Sequence, residues 1–286
     1  MAGDVPPYRV VALDIDGTIL DSRQRVTDEL KAVLARLSAR SVRAVLCTGR
    51  RWSGALPVLR TLEHGHPIVV CSGGALIKDA DTGRTLRAVP MPRRTAQEAV
   101  RVMRRNGLLP MVLYDRPAEK PDLLVAERDR PLVGRLPYAA AHAPGWEWYA
   151  GEFPDGDEPP LVCYAVDERG PIEQGLAALR EALGEAAIAN ALGLPRYGPT
   201  QTALEVHDPG ATKWLSLAWL LERWGMGPAD VVAIGDDVND VPMLRAAGLS
   251  FAMGNAPPSV KAEADAVTGS NDEHGVVEAL TGVFGL

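Results

Sequence analysis

Short β-branched runs alternate with amphipathic stretches over the first eighty residues. Arg9 to Leu13 (RVVAL) reads as a strand, and Thr27 to Ala39 carries Leu30, Val33, Leu34 and Leu37 at the spacing of one helix face. Arg43 to Cys47 and Ile68 to Cys71 read as further strands. Strands separated by helices need crossover connections, which are right-handed and produce a parallel sheet. From about Asp81 the texture changes. Prolines recur from Pro117 to Pro160 among short strand-like pieces, Met111 to Tyr114 and Leu161 to Val166, with helical patterns at Thr95 to Arg105 and Ile172 to Leu183. That mixture predicts a separate α+β module with irregular loops or an edge strand. After Tyr197 the first rhythm resumes: a helix from about Ala211 to Trp224, a strand Val231 to Ile234, a helix Val238 to Ala247, and a strand Leu249 to Ala252. The expected fold is α/β: a Rossmann-like parallel sheet with helices on both faces. Residues 1–83 and 197–286 would form this core, interrupted by an inserted α+β domain at 84–196. No repeat at a period of 20 to 50 residues is present.

Composition narrows the classes. At 286 residues, 47% hydrophobic and 23% charged, the chain can bury one large core or two ordinary ones, which excludes a disulfide-stapled scaffold and a disordered tail. No apolar run approaches the ~20 residues of a membrane span, and MAGDVPPYRV lacks the basic start and apolar stretch of a signal peptide, so a soluble cytoplasmic protein with no membrane partner is expected. Cys47, Cys71 and Cys163 are odd in number and form no CxxC pair, which predicts small buried side chains and not a disulfide or thiolate metal site. The net charge is −7, without the basic stripe of a nucleic-acid binder. Any phosphate chemistry in so acidic a chain depends on a local cation.

The candidate chemistry sits at strand ends. The first strand runs into Asp14-Ile15-Asp16-Gly17-Thr18, and side chains two apart on a strand face the same way, so Asp14 and Asp16 would converge at the C-terminal edge of the sheet, where open α/β sheets bind ligands. Paired carboxylates repel unless a cation lies between them, and Mg²⁺ prefers such hard oxygen ligands. Asp and Gly are also common in turns, so this cluster alone leaves both readings open. Val231 to Ile234 ends in Gly235-Asp236-Asp237-Val238-Asn239-Asp240, a second acidic group at a parallel strand end. Asp236 can serve as a helix cap, but a cap does not account for three carboxylates and an Asn within five positions. Thr48-Gly49-Arg50 offers a hydroxyl and backbone N–H groups at a helix start, suited to an anion or to a simple N-cap. Lys213, one of only five lysines, falls in the first turn of an apolar helix, next to the positive helix end, which favours an anionic partner.

Together these segments resemble the haloacid dehalogenase-like superfamily of phosphohydrolases, in its Cof-type branch with a large inserted cap. DIDGT, TGR, the Gly-x-x-Lys of GATK, and GDDVND followed by VPML carry the resemblance, with FAMGNA at Phe251 to Ala256 and NDEHGV at Asn271 to Val276 beside them. Cys71-Ser72-Gly73-Gly74 departs from it, with Ser72 where the family usually has Asn. The resemblance implies Asp14 as the nucleophile that forms an aspartyl phosphate and Asp16 as general acid and base. It implies Mg²⁺ held by Asp14, the Asp16 backbone carbonyl and Asp236, with Asp240 assisting. It places Ile15, Thr48, Gly49, Lys213 and Asn239 around the phosphoryl oxygens, with Thr48 and Lys213 also counted among the catalytic groups.

The resulting expectation is a Mg²⁺-dependent phosphatase of small phosphorylated metabolites, sugar phosphates foremost, with no nucleic-acid partner. A phosphomutase of the same fold and a non-catalytic phospholigand-binding protein are the alternatives. The insert is expected to close over the site and to set substrate choice. Within it, Trp146 and Trp148 fit either a sugar-stacking face or the insert's own core, and Tyr114, Asp115 and Arg116 fit either a polar site or a surface turn. His64, His66, His142, His207 and His274 are assigned no catalysis.

Overall fold

A computed structural model describes residues 7–62, 68–117, 119–194 and 197–286. His64 and His66 lie outside the described residues. The chain forms two compact units, one of residues 1–87 with 212–286 and one of residues 88–211.

The first unit is built on an eight-stranded sheet. In chain order its strands are β1 (Val10–Leu13), β2 (Arg43–Cys47), β3 (Ile68–Cys71), β4 (Leu76–Asp79) and β5 (Thr85–Ala88), and they return after the second unit. The second unit supplies β6 (Met111–Leu113), β7 (Leu123–Ala126), β8 (Glu147–Tyr149), β9 (Val162–Glu168), β10 (Ile188–Gly193) and β11 (Gln201–His207). The first sheet is completed by β12 (Val231–Gly235), β13 (Leu249–Ala252) and β14 (Ala266–Val267), in the order β14-β13-β12-β1-β2-β3-β4-β5. The strands from β14 to β3 pair in parallel, and β4 turns back antiparallel to β3. β1 lies between β2 and β12 with every residue buried, as expected of a strand covered on both faces. That adjacency brings Asp14 and Asp236, at the ends of neighbouring parallel strands, to one edge. Helix Asp28–Ala39 buries the predicted Leu30, Val33, Leu34 and Leu37, with Thr27 capping its start through a bond from the Leu30 amide.

The second unit is a six-stranded sheet, β10-β11-β9-β6-β7-β8, mostly antiparallel. Helices Arg93–Arg105 and Arg169–Leu183 contribute Ala96, Val100, Met103, Ile172 and Leu179 to a core shared with Val112, Cys163 and Leu204. The boundary expected at residue 196 is therefore corrected: β11 hydrogen-bonds along its whole length between β9 and β10 and belongs to this sheet, so the unit runs from Ala88 to Ala211. Trp146 is buried, while Trp148 is half-buried with the Arg130 guanidinium 4.1 Å from its ring centroid. Arg116 is tied to Glu147 and Glu158, and Tyr114 is buried. All three cysteines are free and buried, and burial pushes the Cys47 and Cys163 thiols up, out of the reactive range. No helix among the described residues is long and apolar enough to cross a membrane.

Candidate active site

The strand β1 stops at Leu13, and residues 15–19 form an irregular turn instead of continuing it. Gly17 makes the turn possible. Its φ is +79°, and a Cβ there would lie 2.2 Å from Asp236 Oδ2. Both demands admit only glycine, and they bring the DIDGT turn directly against the end of β12. The Thr18 hydroxyl donates to Asp236 Oδ1 at 3.0 Å, and Asn255 Nδ2 donates to the Gly17 carbonyl at 2.9 Å, pinning turn and strand end together.

Lys213 sits at the centre. It opens helix Lys213–Arg223, capped by Thr212 through a bond from the Leu215 amide, and only 2% of the residue is exposed. Its Nζ donates to Asp14 Oδ1 at 2.7 Å, to Asp240 Oδ1 at 2.7 Å and to Asn239 Oδ1 at 3.1 Å. Burial alone would lower the lysine pKa, but Asp14 and Asp240 more than offset this and hold it raised. The charge placed unfavourably at a helix start is thus fully paired with anions.

Asp14 is buried, and burial pushes its carboxyl well above the usual range, opposed by Lys213 and reinforced by Asp240, Asp236 and Asp16. Asp236 is pushed to about 7 by burial and by Asp240. Carboxylate oxygens of Asp14, Asp236 and Asp240 all come within 4.8 Å of one another. Three carboxylates against one ammonium leave two negative charges, the charge a divalent cation matches, and their hard oxygens suit one. Asp240 is already satisfied: its second oxygen accepts from the Asp236 and Asp237 amides at 3.1 Å each. Gly235 permits that close approach, since a Cβ there would meet the Asp240 side chain at 2.6 Å. Asp240 therefore braces the loop, whereas Asp14 Oδ2 has no hydrogen bond among the described residues. The cap that Asp236 could have supplied comes from Asp237, whose carboxylate accepts from the Val238 amide at 2.7 Å; a short 3₁₀ turn, Val238–Asp240, precedes helix Val241–Ala246.

Asp16 stands apart from the trio, since the strand has already ended at Leu13 and the chain is in the irregular turn from Ile15. Both its carboxylate oxygens are taken by Arg50, Oδ2 from Nε at 2.7 Å and Oδ1 from Nη2 at 2.6 Å. Arg50 is anchored further by Gln24 Oε1 at 2.8 Å and the Gly54 carbonyl at 3.3 Å. The Thr48 hydroxyl is buried and accepts from the Arg50 amide at 3.0 Å, Gly49 follows half-buried, and Ile15 is fully buried. Ser72 holds φ +52° with its amide bonded to the Arg50 carbonyl, so the departure from Asn leaves the loop docked on the TGR segment. Sequence reading gave no role to Arg50, Thr18 or Asn255, because each acts through a partner far along the chain. His207 is buried and held below the usual histidine range, while His274 adopts a left-handed conformation at a helix start.

The model of a family described as haloacid dehalogenase-like hydrolase matches residues 11–280. The Bacillus subtilis protein YxeH is 27% identical over 282 residues, covering 96% of this chain and 97% of its own length. The pyridoxal phosphate phosphatase YbhA of Escherichia coli is 27% identical over 273 residues, covering 95% and 97%. A haloacid dehalogenase-like hydrolase from Bacteroides thetaiotaomicron, solved by crystallography, aligns with a TM-score of 0.75 at 26% identity, over 97% of this chain and 100% of the other. A family match across nearly the whole length, over a buried Asp-Lys-Asp cluster at the carboxyl ends of parallel strands, leaves one conclusion: the chain belongs to the haloacid dehalogenase-like hydrolases and is a phosphoric monoester hydrolase.

Proposed function

We propose that this hydrolase cleaves small phosphorylated metabolites, sugar phosphates foremost, with Mg²⁺ and through an aspartyl phosphate on Asp14. The observation that carries the reading is the asymmetry of Asp14, with one oxygen fixed by Lys213 and the other open. Asp14 Oδ2 attacks phosphorus while the bond to the leaving oxygen breaks and Asp16 gives that oxygen a proton. Water then attacks the phosphorus, its proton returning to Asp16, and phosphate leaves with the Asp14 carboxylate restored. Lys213, Asn239, Thr48 and the backbone of Ile15 and Gly49 hold the phosphoryl oxygens, whose charge persists throughout the transfer. Asp14, Asp236 and the Asp16 carbonyl hold the cation, with Asp240 bracing the loop. When bound, Mg²⁺ neutralises charge so that a carboxylate can approach a phosphate.

The direct test is Mg²⁺-dependent phosphate release from sugar phosphates, nucleotides, flavin mononucleotide and pyridoxal phosphate. The highest kcat/KM should fall on a sugar phosphate. Preference for pyridoxal phosphate, the substrate in the name of the E. coli relative, would overturn the substrate class, and no release from any ester would overturn the activity.

General acid catalysis matters most where the leaving group is poor. Asp16→Asn is expected to slow sugar phosphate hydrolysis by ~10²- to 10⁴-fold while costing much less with p-nitrophenyl phosphate. Arg50→Ala, which frees the Asp16 carboxylate from its fork, should show the same leaving-group dependence at smaller size. Equal losses on both substrates would remove Asp16 from the acid role.

The raised carboxyls give a stability signature. Asp236 has a folded pKa of about 7 against an ordinary 3.8, so between those values the folded protein holds more protons than the unfolded chain. The metal-free protein should therefore lose stability as pH rises from about 4 to 7. Mg²⁺ displaces those protons, so its stabilisation, read as a Tm increase over a chelator-treated sample, should be larger at pH 8 than at pH 5. An equal increase at both would argue against binding at this cluster.

A further inference from the structure

The far half of helix Lys213–Arg223 and the residue that follows it line a cleft of about 260 Å³. At 1.5 Å per residue, Trp224 lies about 16 Å along the chain axis from Lys213, well away from the acidic cluster. Ile68, Leu86 and Leu220 make part of the cleft apolar, Trp219 and Trp224 add two half-buried indoles, and Arg84 and Arg223 add two cations. All belong to the first unit.

The cations lie against the indoles. The Arg223 guanidinium lies 4.8 Å from the Trp219 centroid and that of Arg87 5.6 Å from the same ring, while Arg43 lies 4.5 Å from the Trp224 centroid. Arg43, Arg87 and Arg223 form no ion pair with a carboxylate among the described residues, and Arg84 lies close enough to Asp79 to help the Thr82 hydrogen bonds lower its carboxyl. In a chain of net charge −7, Arg84 and Arg223 in the cleft, with Arg43 and Arg87 against its two indoles, form a positive spot that would favour a bound anion. A guanidinium resting on an indole is held flat and still offers its N–H edge to a carboxylate or phosphate. The volume lies just under the ~300 Å³ at which small-molecule pockets begin, room for a single ring with one anionic substituent.

We propose that this cleft is a second ligand site, for a small aromatic anion whose ring packs against Trp219 and Trp224 and whose anionic group is bound by Arg84 and Arg223. The inference does not depend on the catalytic reading, because no residue is shared.

Calorimetric titration of the full chain with 4-nitrobenzoate, an aromatic anion a phosphatase cannot hydrolyse, tests it. Saturable one-site binding with Kd below about 1 mM is expected, unchanged in Asp14→Asn and in excess inorganic phosphate. 4-Nitrobenzamide, which keeps the ring without the charge, and acetate, which keeps the charge without the ring, should each bind at least about tenfold more weakly. Arg84→Gln with Arg223→Gln should weaken 4-nitrobenzoate by a similar factor; both side chains are exposed, so the double variant is expected to fold, as circular dichroism would check. Absence of saturation by about 10 mM, equal binding of the amide, an unaffected double variant, or displacement by phosphate would each overturn the proposal.

Discussion

Asp14→Asn should abolish phosphate release, by at least about 10⁴-fold in kcat, in a protein that remains folded. The amide oxygen can still accept from Lys213 Nζ, which keeps Asp240 as its ionic partner, so the buried lysine is not orphaned. The substitution also removes one of three crowded carboxylates, whose mutual repulsion contributes to the raised pKa of Asp14. Thermal stability without added metal should therefore be unchanged or higher at pH 8. What is lost is chemical: an amide oxygen is a poor nucleophile toward a phosphate and cannot give the acyl phosphate that water cleaves. Phosphate release by rapid-quench assay, beside a thermal melt, separates the two effects. Activity within tenfold of the parent would exclude a covalent intermediate on Asp14.

The part of this site that was legible in the sequence is the part fixed by local rules. Parallel strands end at one edge, so DIDGT after β1 and GDDVND after β12 could be brought together once both runs were read as strands, and the structure makes them neighbours. Lys213 was legible because a lysine beside a positive helix end needs an anion, and it has two. Asp16 was less so: strand alternation predicts convergence with Asp14, but the strand ends at Leu13, before either residue, and Arg50 takes both Asp16 oxygens. Thr18 to Asp236 and Asn255 to the Gly17 carbonyl close loops of 218 and 238 residues, and no local periodicity encodes such pairings.

The domain boundary failed for a related reason. Gln201, Thr202, Glu205 and His207 give β11 a polar pattern, and a polar stretch reads as a connection when burial is judged from composition. All seven residues of β11 are nevertheless buried, because the strand is interior to its sheet, between β9 and β10. Strand order is a tertiary property, and it moved the boundary from residue 196 to Ala211.

Lys213→Met should do what Asp14→Asn does not, and damage the fold as well as the chemistry. Methionine matches the length and flexibility of the lysine stem, so packing is nearly conserved and the change isolates the charge. Asp14 and Asp240 would then face each other, buried, without the Nζ that lies 2.7 Å from each. Removing one partner from a buried ion pair costs about 3–5 kcal/mol, because the remaining charge is left without compensation. The sign of the pH dependence follows. In acid, protonation of Asp14, whose carboxyl burial already holds well above the usual range, removes its repulsion with Asp240, so urea denaturation should show the variant close to the parent near pH 4 to 5 and far less stable at pH 8. Phosphate release should be lost at every pH where the variant is folded, since the phosphoryl oxygens no longer meet a cation from the protein. A deficit equal at both pH values would mean that the lysine stem, and not its charge between two carboxylates, is what the fold requires.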